Sequence, residues 1–108
     1  MREIIALTVK ELSGAMLKGE ICPKEALEAY LEQIEAEDKK INAYISLDAE
    51  NALKKAEKIK PDGFLSGIPM AVKDNICVRG VKTTCASKML EKFIPPYSAC
   101  AYERLENA

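Results

Sequence analysis

Residues 67–75, Gly-Ile-Pro-Met-Ala-Val-Lys-Asp-Asn, constrain the fold of this chain more than any other stretch. Ile68, Met70 and Val72 alternate with Pro69, Ala71 and Lys73, a period of two that predicts a short strand over 68–72. Pro69 has no N–H to give a ladder, so it belongs at the strand's start or on an edge. Gly67 permits the turn that leads in. The run ends on Lys73, Asp74 and Asn75, and Asp and Asn are turn residues that bond their own backbone. Lys73 is therefore expected where a strand meets a loop, on the same face as the small side chain of Ala71. Desolvation at such a place favours the neutral amine, a usable base near neutral pH. Most lysines at strand ends are solvated and inert, so the residues by themselves leave both readings open.

Ahead of that stretch the periodicity is helical. Thr8-Val9-Lys10-Glu11 is a capping box, Val9, Leu12 and Met16 recur at helical spacing, and Gly19 suits a left-handed cap, which predicts a helix over 9–18. Pro23 stands at a favourable first helical position, and Leu27, Tyr30, Leu31 and Ile34 form a core-facing stripe closed by Lys39 and Lys40. The second helix is expected over 23–38. Ile41, Ala43, Ile45 and Leu47 alternate with polar or aromatic neighbours, so 42–47 reads as a strand. Asp48 is placed to cap a third helix over 49–59, with Ala49, Ala52, Leu53, Ala56 and Ile59 on one side. Pro61-Asp62-Gly63 is a turn by composition. Beyond Lys73, Arg79–Lys82 reads as a loop. The small polar run Thr83-Thr84-Cys85-Ala86-Ser87 suits a loop beside a substrate. Ile94-Pro95-Pro96 forces extended backbone, and Ser98 is placed to cap a last helix near 98–107. The expected class is α/β.

Composition narrows the function. With 108 residues the chain is one domain at most. It carries 48% hydrophobic and 31% charged residues and a net charge of −1, ordinary values for a soluble protein. Residues 1–54 hold 7 basic and 11 acidic side chains, and residues 55–108 hold 9 and 6, a mild polarity that falls short of a nucleic-acid-binding face. No apolar run approaches the roughly 18–20 residues of a membrane span, and the N-terminal residues lack the pattern of a secretory signal, so a cytoplasmic location and no membrane partner are expected. Cysteines stand at 22, 77, 85 and 100, none in a C-x-x-C pair, and the chain has no histidine. A mixed cysteine–histidine zinc site and a cysteine–histidine nucleophile pair are thereby excluded. The acidic residues of the second helix read as a solvated face, so no metal site is expected.

The run Gly67–Ile76, followed by Gly-Val-Lys-Thr-Thr-Cys-Ala-Ser at 80–87, resembles the amidase signature family, and within it the A subunits of tRNA-dependent amidotransferases. The resemblance extends over the whole chain. It implies a mixed sheet covered by helices. It also implies that Lys73 is the base of a Ser–cis-Ser–Lys triad, with Asp74, Asn75, Thr84 and Ser87 in the supporting loops. Asp74 is expected to turn away from Lys73 into turn hydrogen bonds, and Asn75 to be the neutral partner holding the loop. The implied activity is glutaminase, supplying ammonia to convert misacylated Glu-tRNA(Gln) or Asp-tRNA(Asn). The implied partners are glutamine and the B and C subunits of a heterotrimer, with misacylated tRNA held mainly by the partner subunit. ATP and Mg would be used there, with no cofactor in this chain. In the family both triad serines lie in a Gly/Ser-rich segment downstream of the lysine. The serines here, at 13, 46, 66, 87 and 98, do not lie in such a segment. Residues 1–108 are therefore expected to be the N-terminal portion of one amidase domain, inactive alone for want of a nucleophile. Two other readings share these residues: a stand-alone small-molecule amidase with Lys73 in the same role, and a non-catalytic interaction module with Lys73 solvated.

Overall fold

The computed structural model describes residues 2–108 and divides into two compact units, one ending at Pro69 and the other running from Met70 to Ala108. The first is helical, with α1 (Arg2–Ile5), α2 (Val9–Leu17), α3 (Pro23–Ile41) and α4 (Ala49–Lys58). The second is mostly irregular, with a 3-10 turn at Lys88–Leu90 and α5 (Cys100–Glu106).

Local chemistry sets most helix ends. The Thr8 hydroxyl accepts from the Glu11 N–H at 3.3 Å, and the Glu11 carboxylate accepts from the Thr8 N–H at 2.8 Å, which completes the expected box. The Thr8 N–H, and after it the Thr8 hydroxyl donating to the same carboxylate at 2.8 Å, hold the Glu11 carboxyl below its ordinary value. α2 ends in a Schellman pattern: Gly19, at φ +75°, donates to Met16 O, and Glu20 donates to Ala15 O. Ahead of α3 a second box forms that the sequence pattern did not predict. The Cys22 sulfur accepts from Glu25 N–H, and Glu25 Oε2 accepts from Cys22 N–H. A thiol in place of a hydroxyl is a weak acceptor, which hides the motif in the sequence.

The core of the first unit is formed by Leu12, Met16 and Ala26, with Ile4, Leu7, Ile21, Tyr30 and Ile68 packed against them. Leu12 is 2% exposed, and burying such a side chain stabilises the fold by about 1.5–3 kcal/mol. The buried face of α3 is Pro23, Ala26 and Ala29, while Leu27, Leu31 and Ile34 are only half-buried. The stripe rule assigned the core to the larger side chains; here the small ones lie deepest. Lys24 on α3 pairs with Glu57 on α4 at 2.7 Å.

Neither expected strand forms. Residues 42–47 and 68–72 carry no strand, and among the described residues the only β-pairing is the isolated antiparallel bridge Val78–Val81. The two strand assignments are thus corrected, and the mixed sheet of the α/β reading is not seen among the described residues, whose regular structure is helical. For 42–47 the reason is local. α3 runs on to Ile41 and ends with Asn42 in the left-handed region at φ 56°, its N–H bonded to Asp38 O, while Asp38 Oδ1 takes the Ala43 N–H at 2.8 Å. A left-handed residue cannot continue a strand. For 68–72 the reason is pairing: a strand is stabilised by a neighbouring ladder, and among the described residues no segment supplies one. Met70 and Val72 stay exposed.

The helices near 9–18, 23–38, 49–59 and 98–107 are present with shifted ends. Asp48 makes no cap to α4; its carboxylate instead accepts from the Asn51 side chain. Ser98 does not cap α5, whose N-cap is Ala99; the Ser98 hydroxyl accepts from Arg79 N–H at 2.8 Å.

Candidate functional site

Lys73 lies in the second unit, at the head of a short turn closed by Ile76 N–H donating to Lys73 O at 3.0 Å. Its side chain is exposed, as are Ala71 and Val72 before it, so these residues do not supply the burial expected beside Ala71. The next residue is engaged on every acceptor. Asp74 Oδ1 accepts from Thr84 N–H at 2.8 Å, and Asp74 Oδ2 accepts from the Thr84 hydroxyl and from Ala86 N–H at 3.4 Å. Asp74 O accepts from Cys85 N–H at 2.9 Å.

Three successive backbone donors, at 84, 85 and 86, thus converge on one residue. The convergence requires an uncommon backbone. Cys85 and Ala86 both lie in the left-handed region, at φ 51° and 56°. Each such residue with a Cβ costs about 1–2 kcal/mol, and the successive N–H groups form a concave nest of the kind that binds anions. Here the Thr84 and Ala86 N–H groups meet the Asp74 carboxylate, while the Cys85 N–H between them meets the Asp74 main-chain oxygen. The Thr84 hydroxyl bond, then the Thr84 N–H, hold its carboxyl below the ordinary carboxylate value, with smaller help from Ala86 N–H and the Lys82 charge; partial burial opposes them.

The rest of the loop is pinned from both sides. Ser87 N–H donates to Thr84 O, Thr83 N–H to Phe93 O, Gly80 N–H to Pro95 O, and Ala99 N–H to Cys77 O. Thr83 and Thr84 are buried, at 3% and 6% exposure, and Pro95 is fully buried. Of the residues singled out in the sequence, Asp74 and Thr84 are therefore brought together, and Lys73 is next to them only as the residue that precedes Asp74 in the chain. Ser87 joins them only through its backbone, its hydroxyl making no cap bond to the 3-10 turn. Asn75 is exposed, and the loop-holding task expected of it falls to Asp74. The contributions of Cys85 and Ala86 were not foreseen, because φ > 0 in residues other than glycine has no dependable sequence signal. Among the described residues no three His, Cys, Asp or Glu side chains converge to hold a metal ion, and no helix is long and apolar enough to cross a membrane.

Residues 25–108 match the amidase family, and the chain belongs to it. The chain is similar to the A subunit of glutamyl-tRNA(Gln) amidotransferase from Lachnoclostridium phytofermentans, 44% identical over 98% of this chain and 23% of the relative. It is likewise similar to the A subunits of the same enzyme from Thermoanaerobacter pseudethanolicus, 45% identical over 95% of this chain and 22% of the relative, and from Moorella thermoacetica, 42% identical over 98% and 23%. The chain thus spans less than a quarter of the length of these relatives.

Proposed function

We propose that this chain is part of the glutamine-hydrolysing subunit of a tRNA-dependent amidotransferase, in which Lys73 is the general base. The observation that carries the reading is the similarity to subunits named for that amidotransferase along nearly the whole chain, with the Gly67–Asn75 motif inside the matched region. In the proposed reaction the neutral Lys73 amine takes a proton from a bridging serine, which takes one from the nucleophilic serine. The proton then returns to the departing ammonia. Both serines are assigned to the remainder of the protein, since the chain spans only 23% of a relative. The desolvation that Lys73 needs is assigned there too, because its own neighbours leave it exposed. The ammonia would pass to an activated glutamate or aspartate on tRNA in a partner subunit, where ATP and Mg are used. B and C subunits are the proposed partners and the cytoplasm the proposed location.

The test is glutaminase activity of the full-length protein in its complex. Lys73→Ala should lower it by several orders of magnitude, because base and nucleophile act as one unit. Lys73→Arg should fail nearly as badly, since arginine does not release its proton. Amide transfer should persist in both variants when ammonia is supplied directly. Normal glutaminase activity in Lys73→Arg would overturn the base role. The 108 residues alone should hydrolyse no amide, and turnover surviving Ser66→Ala and Ser87→Ala would contradict this.

A further inference from the structure

We propose that Asp74 is a positioning residue for Lys73, acting through the nest of Thr84, Cys85 and Ala86 rather than as a charge partner of the lysine. The inference rests on Lys73 being the base, and it deepens that reading by assigning what holds the base in place.

The geometry separates the two roles. A carboxylate that paired with the Lys73 ammonium would favour the charged amine and work against a base. The Asp74 oxygens are taken up elsewhere: Oδ1 by Thr84 N–H, Oδ2 by the Thr84 hydroxyl and Ala86 N–H, and the main-chain oxygen by Cys85 N–H. Four donors from a segment ten to twelve residues away fix this one residue. It is joined to Lys73 by a single peptide, so their Cα atoms are about 3.8 Å apart. On its other side, Lys73 O is fixed by Ile76 N–H at 3.0 Å. The backbone of the base is therefore clamped through its own carbonyl and through the next residue, while its side chain is exposed.

The cost of the device points the same way. Two adjacent residues other than glycine are held at φ 51° and 56° so that their N–H groups face Asp74. Strained backbone persists only where its surroundings over-determine it, and such strain clusters where a side chain must be placed accurately. Thr84 is the central member, buried and donating from both its N–H and its hydroxyl. Displacing a catalytic group by about 1 Å can cost about a hundredfold in rate, so removing the clamp should register in turnover rather than in substrate binding.

The experiment uses the full-length protein in its complex, with turnover expressed per active site after titration of the nucleophilic serine, so that misfolded molecules do not count. Thr84→Val removes the two hydroxyl bonds, the one donated to Asp74 Oδ2 and the one accepted from Ala86 N–H at 3.3 Å, and leaves the backbone donors in place. Asp74→Asn removes the charge while keeping the shape. Each should lower glutaminase kcat about tenfold to a hundredfold with KM within twofold of the parent, and Thr84→Ser should restore at least half of the loss. If kcat per titrated site is unchanged in both Thr84→Val and Asp74→Asn while Lys73→Arg is inactive, the positioning role is overturned and the base role stands. If Thr84→Ser is as impaired as Thr84→Val, the hydroxyl is not what acts and the proposal also falls. If Lys73→Arg is fully active, the base role falls and the proposal with it. Should Asp74→Asn not fold, the Thr84→Val and Thr84→Ser pair decides by itself.

Discussion

Gly67 is where a single methyl group should do the most damage, and the structure allows its cost to be separated into parts. The residue sits at φ +81°, third in a turn closed by Ile68 N–H donating to Leu65 O. A Cβ added there would lie 2.7 Å from Pro23 Cγ, 3.2 Å from Pro23 Cβ and 3.3 Å from Met16 Sδ. The methionine sulfur can swing aside. The proline ring cannot, because it is buried and forms the first position of α3. Gly67→Ala should therefore cost about 1–2 kcal/mol for the left-handed backbone and about 1–3 kcal/mol for overpacking. Gly19→Ala isolates the first part, since Gly19 has nearly the same φ, +75°, and nothing within 4 Å of its would-be Cβ. Gly14→Ala removes both parts. That position lies inside α2 with open space around it, and alanine should stabilise the helix by about 0.5–1 kcal/mol. Denaturant unfolding of the three variants should thus rank Gly14→Ala above the parent, Gly19→Ala about 1–2 kcal/mol below, and Gly67→Ala about 2–5 kcal/mol below. If Gly67→Ala matches Gly19→Ala within error, the contact of the turn with Pro23 is refuted and only backbone strain remains.

Leu12→Ala should cost about 2–5 kcal/mol in the same assay, because Leu12 is 2% exposed at the centre of the first unit's core. Ser13→Ala should stabilise by about 1 kcal/mol, since the Ser13 hydroxyl is buried with no hydrogen-bond partner among the described residues. Cys22→Ser should raise the melting temperature by strengthening the box before α3, a gain of about 0.5–1 kcal/mol; no change would show that the thiol caps as well as a hydroxyl. The Asp74 carboxyl is held below its ordinary value of 3.8, so the nest's contribution is complete above that value and is lost as the pH falls through and below it. The amide resonances of Thr84 and Ala86 should therefore shift together with a midpoint below 3.8. In Asp74→Asn the shared transition should vanish.

What the sequence determined by itself is local. Thr8 with Glu11, Pro23 at a first helical position and Gly19 past a helix end each act on backbone groups within a few residues, so α2 and the start of α3 could be named from the chain alone. The motif around Lys73 was legible for the same reason, because it is contiguous. The expected diversion of Asp74 into hydrogen bonds of its own turn does not occur: its carboxylate takes its donors from Thr84 and Ala86, ten and twelve residues further along. What only the tertiary structure decided is pairing across distance. Alternation at 42–47 and 68–72 states a preference for extended backbone, but a strand requires a partner, and the left-handed Asn42 and the unpaired run at 68–72 leave both without one. In the same way, which donors close on Asp74 depends on a loop ten to twelve residues further along adopting two left-handed residues in succession. No periodicity encodes that, because its energy comes from the carboxylate it meets.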